Sequence, residues 1–130
     1  MRAFVALPPE AADDVTAALA EALLAAGHEL LWPASRPAPI AQAERQAFTL
    51  TLDRMHEADL LVADVSVPDT SVGWAVAWFV ARGRLVVLCC QRGGRDVLPV
   101  LIAGNPSPWV RLIMYDDGAQ LSKAIASIVG

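Results

Sequence analysis

The stretch Asp59-Leu-Leu-Val-Ala-Asp-Val65 limits the fold more than any other part of the chain. It is short, continuously apolar and bounded by acids. Successive side chains of a strand point to opposite faces, so both faces of this one are apolar. Such a strand must be covered on both sides, as a central strand of a parallel sheet is. Four further segments read as strands: Arg2 to Leu7 (RAFVAL), His28 to Trp32 (HELLW), Leu85 to Cys90 (LVVLCC) and Trp109 to Met114.

Helical patterns separate them. One opens at Pro9-Glu10 and runs through Ala26, with Glu10, Asp13 and Asp14 where the helix dipole favours acids and Gly27 as its stop. Ala41 to Ala58 carries Phe48, Leu52 and Met55 along one face. Val72 to Ala81 ends at Gly83, Asp96 to Ala103 reads as a short helix, and Gly118 to Val129 closes the chain. Pro33 to Ile40, Ser66 to Thr70 and Gln91 to Arg95 read as loops. Alternation with short connections predicts a three-layer α/β fold, flavodoxin-like or Rossmann-like, with about five parallel strands. At 130 residues, with no repeat or linker, residues 1–130 are expected to form one domain.

Composition narrows the function classes. Hydrophobic residues make up 55% and charged residues 18%, so the chain can bury enough apolar surface to offset its entropy, and disorder is excluded. Part of that surplus suits a subunit interface. The net charge is -4, Lys123 is the single lysine and no basic run exists, which argues against a nucleic-acid partner. No apolar stretch approaches a bilayer span, so no membrane role is expected. The N-terminus reads as a strand followed by Pro8-Pro9 rather than a leader, and the expected location is the cytoplasm.

Ligands of parallel α/β sheets sit outside the carboxyl ends of the strands. The loops of interest are therefore Leu7 to Glu10, Ser66 to Ser71 and Gln91 to Arg95. The first is Leu-Pro-Pro-Glu. Prolines supply no amides for a phosphate cradle, and neither GxGxxG nor GxxxxGK[ST] occurs, so ATP or NAD is not expected and no cofactor is. Cys89 and Cys90 are adjacent in a strand and point apart, so they read as two small buried hydrophobes rather than a disulfide. His28 and His56 have no partner at ligand spacing, so no metal is expected.

In Ser66-Val-Pro-Asp-Thr-Ser-Val-Gly-Trp-Ala75, a strand delivers a polar turn and then a helix start. Asp69, Thr70 or Ser71 can cap that helix. Alternatively the segment walls a pocket, where Gly73 lets a ligand approach the backbone.

Ala58-Asp-Leu-Leu-Val-Ala-Asp-Val-Ser66, then Val72-Gly-Trp74, then Gly83-Arg-Leu-Val-Val-Leu88 resemble the core of the nucleoside 2-deoxyribosyltransferase family. That family includes the 2'-deoxynucleoside 5'-monophosphate N-hydrolases and related cytidine-monophosphate hydrolases. The register continues through Val97 to Ile102 and Val110 to Asp117, covering about the last two-thirds of the chain. The resemblance implies cleavage or transfer at an N-glycosidic bond, with a nucleoside or nucleotide as ligand. It places the family's motif glutamate at Ala75 and its helix aspartate at Thr51. The first motif glycine falls on Ser71, the phosphate-holding serine on Pro99, and the glycine-rich loop on Leu7-Pro8-Pro9. Positive charge builds at the anomeric carbon as the base leaves, and a methyl group cannot stabilise it.

The departures fall on the chemistry while the scaffold pattern survives. The resemblance therefore implies lost or weakened activity with ligand contacts at Leu7, Pro8, Thr51, Ser66, Asp69, Ser71, Gly73, Trp74 and Pro99. The second reading is an active nucleoside or nucleotide N-glycosidase with a relocated carboxylate, Asp69 or Asp64: Asp69 either reaches the cleft or caps the helix, and Asp64 either points at the site or bonds a neighbouring loop. Asp53 lies about 200° round the helix from Thr51 and faces elsewhere. Arg92 and Arg95 either meet an anion or are solvated. The third reading is an interaction protein whose cleft is filled by Trp74 or Met114. The Val72–Ala81 helix is apolar nearly all round, which implies that a second subunit covers it in a homodimer or larger assembly.

Overall fold

The computed structural model describes residues 1–11, 13–35, 40–93, 98 and 100–129. The elements run β1 (Arg2–Ala6), α1 (Asp13–Ala25), β2 (Glu29–Leu31), α2 (Ala41–Glu57), β3 (Leu60–Asp64), α3 (Thr70–Ala81), β4 (Leu85–Gln91), α4 (Val100–Ala103), β5 (Val110–Tyr115) and α5 (Gly118–Val129). All neighbouring strands pair in parallel in the order β2-β1-β3-β4-β5, the flavodoxin-like arrangement expected.

β3 lies at the centre and is buried at every residue, which explains why its sequence shows no polar alternation. Its register sets Leu61 beside Phe4 and Val86, and Asp64 beside Cys89. One face of the sheet packs Ala3, Val5, Leu60, Val62 and Cys89 against α1 and α5. The other packs Phe4, Leu61, Val86, Leu88 and Cys90 against α2 and α3. The two cysteines are not joined in a disulfide; both are buried and lie on opposite faces, as strand alternation requires.

Helix ends follow local chemistry. Gly27 and Gly83 adopt φ of +84° and +66°, the left-handed conformation that closes α1 and α3. α1 begins three residues inside the expected start, at Asp13, and α3 begins two residues earlier than expected because Asp69 caps it: its carboxylate accepts from Val72 N at 2.9 Å. Of the short helix expected over Asp96 to Ala103, Val100–Ala103 is helical, while residues 96, 97 and 99 lie outside the described residues.

Arg84 holds the end of α2. Its Nη1 donates to the carbonyls of Met55 and Ala58, each at 2.9 Å, adding a charged donor at the helix end, where Met55 O also accepts from Ala58 N. Its guanidinium also lies 5.3 Å from the centre of the Trp78 ring, with that of Arg82 at 3.7 Å. Arg84→Ala should lower unfolding free energy by about 2 kcal/mol, the scale of charged hydrogen bonds, with only partial rescue by Arg84→Lys. Urea midpoints of the three proteins check this.

Candidate functional site

α2 meets the sheet only near its carboxyl end. Met55 is buried and Leu52 partly so, but Phe48, one turn earlier than Leu52, is 56% exposed. The amino-terminal half of α2 therefore leaves space between itself and α3, over β1. That space is a cleft of about 540 Å³ at the carboxyl end of β1. Strand order reverses there, since β1 sits between β2 and β3.

Phe4, Ala6 and Leu7 form the floor, Thr51, Leu52 and Met55 the α2 wall, and Ser71, Val72 and Ala75 the α3 wall. Phe48 and Trp74 meet edge to face at the rim, with ring centres 6.1 Å apart at 74°. Trp74 is 49% exposed and does not fill the cleft, and Met114 is partly buried against the core on that face of the sheet and does not line the cleft.

Four of the residues singled out as ligand contacts line this cleft: Leu7, Thr51, Ser71 and Trp74. Ala75 does too, and is buried. Thus the two positions matched to the family's carboxylates share one cleft, on opposite walls. The Thr51 hydroxyl accepts from Ala34 N at 3.0 Å, which ties the segment after β2 to α2. Pro8 is buried and does not line the cleft. Asp69 and Gly73 line a second pocket of about 320 Å³ on the other side of the α3 amino terminus. Pro99 lies outside the described residues.

Asp64 lies on the α1/α5 side of the sheet, away from the cleft. Alternation along β3 puts it on the face of Leu60 and Val62. It accepts from Tyr115 Oη at 2.6 Å and from Ser66 N at 2.8 Å. Ser66 in turn accepts from Gln91 N at 2.7 Å, so its hydroxyl joins the carboxyl ends of β3, β4 and β5 rather than the cleft. Burial, and then the bond to Asp64, push the Tyr115 phenol well above its ordinary value of 10.0, despite the opposing bond from Ser66. Tyr115 therefore keeps its proton and stays the donor in this bond. The carboxylate of Asp69 is committed to its cap. Arg92 pairs with Asp116 at 3.1 Å on the surface, and Arg95 lies outside the described residues. His56 lies edge-on to Trp78, at 4.9 Å, and Asp53 is exposed.

Glu44 lines the cleft and is the one charged residue among the described residues that does. The apolar pattern of the sequence marks Phe48, Leu52 and Met55 on this helix but not Glu44. Its signal was present, since Glu44, Phe48, Thr51 and Met55 recur at the spacing of one helix face. What was missing was a reason to extend that face beyond its apolar members.

Among the described residues, no group of three or more histidines, cysteines or acids could hold a metal ion. No helix among them is long and apolar enough to cross a membrane.

No family model matches the chain. A protein of Thermofilum pendens named "Putative 2'-deoxynucleoside 5'-phosphate N-hydrolase 1" is 34% identical over 73 residues, which is 56% of this chain and 51% of that protein. The match thus spans about half of that relative's length. Among solved structures, the Clostridium botulinum CMP N-glycosidase superposes with a TM-score of 0.78 at 22% identity, covering 98% of this chain and 99% of its own. The 2-deoxyribosyltransferase of Bacillus psychrosaccharolyticus gives 0.70 at 14%, covering 94% and 90%. These two likenesses are of fold.

Proposed function

We propose that the chain is a member of the nucleoside 2-deoxyribosyltransferase and 2'-deoxynucleoside 5'-phosphate N-hydrolase family that binds a nucleoside-type ligand while its N-glycosidase or transferase activity is lost or strongly weakened. One observation carries the reading: Thr51 and Ala75 line opposite walls of one open cleft, and neither is a carboxylate. The cleft is wide enough for a small ligand, its walls are largely apolar, and Thr70 and Ser71 on its lining carry hydroxyls for a sugar. Relocated catalysis by Asp64 or Asp69 is not favoured, because both carboxylates are engaged elsewhere.

The ligand is unphosphorylated in this reading. Pro8 and Pro9 have no amide to offer, and the amide of Ala11 donates to Pro8 O at 3.0 Å. Glu44, the one charged lining residue among the described residues, repels a phosphate. The same reading has residues 1–130 act as one cytoplasmic domain, and has copies associate through the part of α3 beyond the cleft, where Ala77 and Ala81 are exposed.

A thermal-shift series with nucleosides, deoxynucleosides and their monophosphates, with free base measured in the same wells, tests it. A ligand bound only by the folded state raises the melting temperature. Nucleosides should raise it more than their monophosphates, with base release at the uncatalysed background. Base release well above background would overturn the loss of activity, and absence of any shift would overturn ligand binding.

A further inference from the structure

The rim of the cleft holds more chemistry than a binding surface for sugar requires. Phe48 and Trp74 approach from α2 and α3 and expose about half of each ring. Glu44 precedes Phe48 by one helical turn, which sets their Cβ atoms about 5–6 Å apart along the same wall. Among the described residues Glu44 forms no ion pair; the three ion pairs present involve Arg2 and Arg92. An ionised carboxylate only accepts hydrogen bonds. The ring faces beside it carry negative charge density and attract planar rings and cations. A partner matching all three groups is flat, aromatic, and rich in N–H donors or positive charge along one edge.

We propose that Glu44, Phe48 and Trp74 form a selective subsite for amino-substituted heteroaromatic rings, with the ring against the aromatic pair and its amino edge at Glu44. An oxo group at that edge is rejected, because it would set one acceptor against another. The subsite deepens the ligand class proposed above and rests on that reading only where the ring carries a sugar.

Matched rings isolate the effect: adenine against hypoxanthine, and cytosine against uracil, each alone and as its nucleoside. Calorimetric titration of the full chain should show the amino member of each pair binding at least tenfold more tightly. Glu44→Gln presents a donor as well as an acceptor, so it should narrow the preference to about threefold or less while ring binding persists. Trp74→Ala should weaken all four rings together, by tenfold or more, with an unchanged melting temperature showing that the exposed substitution leaves the fold intact. Equal affinity within each pair would overturn the proposal, as would a preference that survives Glu44→Gln. Free amino rings that bind while nucleosides do not would remove the nucleoside reading and leave this one standing. Nucleosides that bind without regard to the amino group would do the reverse, and no binding by any of the eight probes would remove both.

Discussion

Ala75→Glu should leave base release within about tenfold of the uncatalysed rate and should lower stability by about 2 kcal/mol. The stability cost comes from position. Ala75 is 5% exposed and packs in the core cluster with Phe4, Val76 and Phe79. A carboxylate there loses much of its hydration, and a poorly compensated polar group in a protein costs about 1–3 kcal/mol. Glu44 in the same cleft adds repulsion rather than relief. The catalytic failure has a separate cause. Breaking an N-glycosidic bond needs an anion where positive charge develops and a proton for the departing base. The substitution supplies one carboxylate, while the opposite wall still presents Thr51, whose hydroxyl is occupied by the Ala34 amide.

Thr51→Asp with Ala75→Glu places acids on both walls. The replaced side chain can still accept from Ala34 N. The double variant should therefore exceed the single one by about 100-fold, the lower end of what a positioned acid contributes. Chromatographic measurement of free base, with urea midpoints on the same samples, decides it. Robust turnover by Ala75→Glu alone would show that the rest of the pocket is intact and that Thr51 costs the protein nothing.

Stability should fall steeply above about pH 9. Cys89 is fully buried in β4, and burial, reinforced by the charges of Asp64 and Cys90, raises its thiol far above the ordinary 9.0. Tyr115 is raised above 10.0 by burial and by its bond to Asp64. Both groups hold their protons more tightly when folded than when unfolded. Their contribution is complete below the unfolded values and is lost as pH rises from about 9.0 for Cys89 and 10.0 for Tyr115 towards the higher folded values. Each group removes about 1.4 kcal/mol per pH unit within its window. Urea unfolding at intervals from pH 8 to 11 should show a slope that begins near 9 and steepens near 10. Cys89→Ala should delay the onset by about one unit. Tyr115→Phe should remove the steepening, and at neutral pH should cost about 2 kcal/mol for the lost bond to a carboxylate. A flat profile, or one that neither variant changes, would contradict this account of the Asp64 network.

The layered α/β fold was legible because its signals are local. A strand buried on both faces must be apolar throughout, and Leu60–Asp64 is apolar up to its last residue. Gly27 and Gly83 mark helix ends because glycine adopts positive φ without strain. The same locality explains the errors at element ends: capping by Asp69 extended α3 by two residues, and only geometry chooses among Asp69, Thr70 and Ser71. The absence of acids at positions 51 and 75 was also plain in the sequence, through resemblance.

The tertiary structure alone decided which side chains share a space. Alternation along β3 puts Asp64 on one face of the sheet, but nothing local says that Tyr115, 51 residues away, meets it there. Likewise Glu44 looks like any exposed helix acid until the fold sets α2 and α3 on either side of the cleft it lines. Composition and periodicity determine which surfaces must be buried, because each strand and helix carries its own apolar pattern. Which polar groups meet, and which empty volume they line, depends on how helices far apart in sequence settle on one sheet, and that is set by packing between them.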